Sequence, residues 1–141
     1  MNMMEMVLAL LATVLFTTLS LTYNQAVWAQ TDYLNNATMV VQASQICHSI
    51  LDEADAKLFS QQYTLNDLVT KYNYTKTTNY SHLAASFTVK AETQKCDEWG
   101  EILADQSGLS MYRKMTITVT GHSYLQRPYT MTRLFTDSFI R

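Results

Sequence analysis

Residues 1–16 read MNMMEMVLALLATVLF. One carboxylate, Glu5, precedes a long apolar run, and the next charged residue is Asp32. Secretory signals place Lys or Arg before such a run, and this stretch has neither. Residues 6–23 are apolar, with Thr17, Thr18, Ser20 and Thr22 clustered in the second half. About 20 apolar residues span a bilayer core, so the run is long enough to cross one. From Asn24 to Phe59 the apolar positions fall three, four and seven apart: Tyr33, Ala37, Val40, Val41, Cys47, Ile50, Leu51, Ala54 and Leu58. That spacing places them on one face of a helix. No Gly or Pro occurs before Gly100, so nothing separates the two parts. One helix is expected from Asn2 to Phe59, about 85 Å long.

The remainder of the 141 residues changes period. The stretch QQYTLNDLVTKYNYTKTTNYSH (61–82) is polar and aromatic and reads as a loop, with a turn of helix at Leu65–Lys71. Alternation with period two then marks three antiparallel strands. They are LAASFTVKAE (83–92), MYRKMTITVTGHS (111–123) and YTMTRLFTDSF (129–139). The expected class is α+β: a long N-terminal helix whose back half packs on a small C-terminal antiparallel sheet. The expected organisation is an apolar helix at 1–23, its amphipathic continuation at 24–59, a polar loop at 60–82 and a sheet region at 83–141.

Net charge is −2, and 16% of the residues are charged. No basic cluster exists, which argues against nucleic acid, whose phosphates need grouped Lys and Arg. His48, His82 and His122 have no metal-ligand spacing. Asp52, Glu53 and Asp55, beside Lys57, read as a solvated helix face. No nucleophile turn or glycine-rich phosphate loop is present, so no enzyme, metal site or cofactor is expected. Cys47 and Cys96 have two readings: a bridge closing a loop of about 50 residues, which would stabilise by roughly 3–4 kcal/mol, or two buried free thiols. An oxidising compartment favours the bridge. Asn36, Asn73 and Asn79 begin N-x-S/T sequons. Tyr63, Tyr72, Tyr74 and Tyr80 cluster in the polar loop and suit an interaction surface.

A carboxylate ahead of an apolar helix is costly in a membrane unless paired. If Met1 is a mature N-terminus, its α-amino group on a neighbouring copy is a partner for Glu5, and the pair sets the register of stacked helices. The stretch MNMMEMVLALLATVLF resembles the mature N-terminus of type IV pilins and pseudopilins. In that family a peptidase removes a short basic leader after a glycine, leaving an often methylated residue 1, a glutamate at position 5 and an apolar helix. The tail KMTITVTGHSYLQRPYTMTRLFT (114–136) is similar to the final hairpin of minor pilin-like proteins. The resemblance departs at Val14 and Thr22, where many members carry the Gly or Pro that loosens the helix. It also lacks the leader and the C-terminal disulfide loop.

The resemblance implies a filament subunit, anchored in the inner membrane until pilus assembly machinery draws it into an extracellular, adhesive homopolymer. Met1 and Glu5 would direct assembly. Val7, Leu8, Leu10, Leu11, Val14, Leu15 and Leu19 would form the filament core. The alternative is a binding domain that never polymerises, with residues 1–29 as anchor or signal. In Ala26-Val27-Trp28-Ala29, Val27 and Ala29 stand three and one residues before a cut at Gln30 and give that signal a plausible cleavage pattern.

Overall fold

A computed structural model describes residues 2–80, 85–121 and 124–136. The chain forms a 57-residue helix α1 (Met3–Phe59), a short helix α2 (Leu65–Lys71) and four strands. These are β1 (Tyr74–Tyr80), β2 (Ala85–Cys96), β3 (Tyr112–Thr120) and β4 (Tyr129–Thr136). Two compact units divide between Ala37 and Thr38. The first is helical throughout. The second contains the rest of α1, α2 and the sheet.

In the second unit the strands follow one another as an antiparallel meander in the order β1-β2-β3-β4. Each strand presents alternate residues inward. Phe87, Val89, Ala91 and Thr93 of β2 and Arg113, Met115, Ile117 and Val119 of β3 are buried. Ala91 pairs with Ile117 and Val89 with Val119, so these residues form rows across the sheet. The helix side of the core is Ala43, Cys47, Leu51, Ala54 and Leu58, spaced four, four, three and four apart. That spacing keeps one stripe against the sheet. Leu65 and Leu68 of α2, with Leu125 and Phe135, close the core. Arg133 on β4 donates from Nη1 to Asp52 at 3.0 Å and also to Asp55. The acidic run is therefore not only a solvated face: two of its members fasten the last strand to the helix.

The α+β class and the helix limits agree with the periodicity. The short helix at Leu65–Lys71 also forms where expected. Thr64 caps it, with Asp67 completing a reciprocal capping box. The sheet has four strands, not three, and the missing one is β1. It pairs Tyr74 with Ala91 and Tyr80 with Ala85 inside the stretch read as a loop. As an edge strand it leaves Thr75, Lys76 and Thr77 exposed, so no apolar alternation marks it. β2 runs to Cys96, four residues past the expected end. Residues 83–84, 122–123 and 137–139 of the expected strands lie outside the described residues. At Gly121 φ is +106°, and a Cβ there would stand 3.2 Å from the Thr88 nitrogen. Only glycine fits that turn easily.

Of the tyrosine cluster, Tyr72 belongs to the core. Tyr72 is 4% exposed, with Tyr63 edge-on at 6.4 Å and Tyr74 at 6.5 Å. Tyr63 and Tyr74 are half-buried against the same cluster. The side chain of Tyr80 lies outside the described residues. The Tyr72 hydroxyl is buried with no hydrogen-bond partner among the described residues, and burial raises its pKa. An unsatisfied buried hydroxyl costs about 1–3 kcal/mol. Tyr72→Phe is therefore expected to raise the unfolding free energy by about 1 kcal/mol in a denaturant titration. A decrease would show that the hydroxyl has a partner.

Candidate functional site

The residues expected to act together lie in the first unit, residues 1–37. Helix α1 starts at Met3, and its first free N–H groups need acceptors. Glu5 supplies one: its Oε2 accepts from the Asn2 backbone N–H at 3.1 Å. The Asn2 carbonyl in turn accepts from the Glu5 N–H at 2.9 Å and the Met6 N–H at 3.3 Å. Asn2-Met3-Met4-Glu5 thus forms the acid half of a capping box. The sequence reading gave Glu5 only an intermolecular role and missed this internal one. The Asn-x-x-Glu spacing is the signal that would have found it. Met1, the other half of the expected pair, lies outside the described residues.

Beyond the cap the helix is apolar over most of its circumference. Val7, Leu8, Leu10, Leu11, Val14, Leu15 and Leu19 each expose more than half of their surface. At 100° per residue they cover about half of the circumference, Ala9, Ala12 and Phe16 extend this on one side, and Thr13, Thr17 and Ser20 lie in the remaining sector. So wide an apolar surface calls for an apolar environment around most of the helix. Thr13 donates its hydroxyl to the Ala9 carbonyl at 2.8 Å and Thr17 to that of Thr13 at 2.7 Å. Thr18 and Thr22 bond the carbonyls three and four residues back. Each of these threonine hydroxyls is satisfied within its own helix. Val14 and Thr22 remain helical, and the helix does not loosen between them.

The other candidates are dispersed over the second unit and α1. Cys47 and Cys96 are both buried free thiols, which corrects the expected bridge. The Cys47 sulfur lies 4.0 Å from the Ile117 carbonyl, in the middle of β3. Ile117 pairs with Ala91, whereas Cys96 stands five residues further along β2, roughly 16 Å away. A disulfide needs Cα atoms within about 7 Å.

Asn73, one of the sequon asparagines, is hydrogen-bonded on both sides of its amide. Its Nδ2 donates to the Val69 carbonyl at 2.6 Å and the Thr93 carbonyl at 3.2 Å, and its Oδ1 accepts from the Thr93 N–H at 2.9 Å. The nitrogen a glycan would occupy ties α2 to β2. Asn79 lies on β1 opposite Ser86, not in a loop, and Asn36 is half-buried on α1. His48 is exposed, and His82 and His122 lie outside the described residues. Among the described residues no three His, Cys, Asp or Glu side chains come together to hold a metal ion.

Compared with protein families, curated proteins and solved structures, the chain matches none.

Burial pushes the Cys47 thiol up to about 11 from its usual 9.0, and burial also raises Cys96. At pH 8 a thiol at 11 is thiolate in roughly one molecule per thousand. Both cysteines should resist iodoacetamide in the folded chain and react fully after denaturation, with no mass change on reduction. A gain of two hydrogens on reduction would restore the bridge. The Cys47 contribution to stability is intact below pH 9 and is lost as pH rises toward 11, because the unfolded thiol ionises first.

Proposed function

We propose that this chain is a structural subunit of a type IV pilin-like filament. The observation that carries the reading is the pairing of one acid, Glu5, with an apolar helix surface that nothing covers. Before assembly that surface lies in the inner membrane, where the internally bonded threonines and absent charges make it compatible with lipid. On assembly it packs against copies of itself, with burial of apolar area supplying about 25 cal/mol per Å². The contact is heterologous and propagates as an open helix. The sheet unit faces outward, and the assembled polymer is extracellular.

The hydrogen bond from Asn2 to Glu5 favours a second reading. There the acid only caps the helix, and residues 1–29 anchor a binding domain that never polymerises. Glu5→Gln separates the two. Gln keeps the capping bond but cannot neutralise an amine. The filament reading expects helix content and membrane insertion to be unchanged while the critical concentration for filaments rises at least about tenfold, the equivalent of ~1.4 kcal/mol per contact. Electron microscopy of the full chain released from detergent measures this. Filaments at the wild-type concentration would leave Glu5 as a cap alone and remove the filament role assigned to it.

A further inference from the structure

The second unit contains a cavity of about 690 Å³ between the end of α1, the start of α2 and the loop leading into β3. Its volume is that of a small-molecule site. Lys95 and Arg113 line it, and no carboxylate does among the described residues. Of the acids within two residues of its wall, Asp67 accepts from Thr64 at 2.8 Å within the capping box, and Asp97 accepts from the Trp99 and Glu101 N–H groups. Asp105 accepts from the Ser107 N–H at 2.9 Å and feels the charge of Lys95.

The wall is rigid. The Arg113 guanidinium is buried and donates to the Ser110 and Tyr112 carbonyls at 2.7 and 2.9 Å and to Asn66 Oδ1 at 2.8 Å. Gln106 accepts from the Lys95 N–H at 2.8 Å and donates to the Lys95 and Leu103 carbonyls. The half-buried Lys95 ammonium gives one bond, to the Gly108 carbonyl at 3.0 Å. An ammonium has three donors, and Lys95 forms no ion pair with any described residue.

Gln61 has φ +58°, the sole non-glycine residue at positive φ among the described residues. Helices commonly end this way on glycine, and here the Gln61 N–H donates to the Leu58 carbonyl and the Gln62 N–H to that of Lys57, both at 3.0 Å, closing the C-terminus of α1 beside the cavity. The Gln61 side-chain amide and the Tyr63 hydroxyl bond no other described residue.

We propose that this cavity binds an acidic carbohydrate, a sugar carrying a carboxylate. The Lys95 ammonium takes the carboxylate, and the Gln61 amide and Tyr63 hydroxyl take ring hydroxyls. The cavity is too large for a bare phosphate to fill. Tyr63 is engaged edge-on with Tyr72 and under the Lys57 ammonium at 5.0 Å, so it offers no open slot for a nucleobase. The site does not depend on polymerisation.

The test is calorimetric titration of the full chain in zwitterionic detergent at low salt, with sodium D-glucuronate, D-glucose and phosphate. Glucuronate is expected to saturate in the millimolar range and to bind about tenfold more tightly than glucose, from one charge-assisted contact. Lys95→Gln should erase that preference. Gln61→Gly relieves the backbone and removes the amide, so it should weaken both sugars several-fold with thermal stability kept or raised. No saturable heat, equal affinity for glucuronate and glucose, phosphate bound as tightly as glucuronate, or wild-type affinity in both variants would overturn the proposal.

Discussion

The second unit depends on one contact, the back stripe of α1 against the inner face of the sheet. Three of its five buried helix positions are small: Ala43, Cys47 and Ala54. Small side chains let the helix approach β3 closely enough for the Cys47 sulfur to meet the Ile117 carbonyl. Leu51 and Leu58, further along the same stripe, are buried in one cluster with Phe87, Met115 and Val119. Each side chain fully buried in this way contributes about 1.5–3 kcal/mol. Larger residues at the small positions would lift the helix and strand the leucines. Everything else in the unit adjusts to this contact. Asp52 and Asp55 lie one turn from the stripe and draw in β4 through Arg133. Asn73 joins α2 to β2 where the helix no longer reaches.

The same helix solves a different problem over its first 37 residues. Its side chains there are largely exposed, and its threonine hydroxyls are bonded locally. Threonine hydroxyls return to carbonyls of the preceding turn, Asn24 donates to the Ser20 carbonyl at 3.0 Å, and Glu5 accepts from Asn2. Such bonds carry little net stability in water, where solvent would serve as well. They matter where water is absent, because an unsatisfied group in hydrocarbon costs several kcal/mol. The pattern therefore fits a segment that leaves water, into lipid or into a bundle of its own copies.

What could be read from the sequence followed the strength of each periodic signal. Residues 24–59 repeat at three and four, and the helix ends where Phe59 does. β3 alternates without a fault from Arg113 to Val119, and its buried set was legible. β1 was not, because an edge strand of Thr, Lys and Asn buries too little to show a period. Tyr72 misled for the opposite reason. It sits in a polar stretch, yet α2 and β1 fold it into the core, a consequence of tertiary pairing that local composition does not carry. The cysteines misled because pairing depends on register: only the alignment of Ala91 with Ile117 shows that Cys96 stands too far along β2. The cavity wall was invisible for the same reason, since Gln61, Lys95 and Arg113 meet only once the strands are aligned.

The role of Glu5 turns on a difference between a hydrogen bond and a charge. A capping box asks for an acceptor at this position, and glutamine serves there as glutamate does. The helix dipole adds about 0.3–1 kcal/mol for a negative charge in the first turn. In a lone membrane helix residue 5 lies at the interface, where an ionised carboxylate keeps its water and costs little. Apolar neighbours on all sides remove that water, and the cost of an unpaired charge rises to about 3 kcal/mol or more. The cap and the dipole together do not offset that. In the proposed filament the charge therefore requires a cation, and the amine of an adjacent copy meets the requirement at one stagger only. The internal hydrogen bond and the intermolecular pair are then successive states of one side chain, the first holding the carboxylate at the helix start until a neighbour arrives.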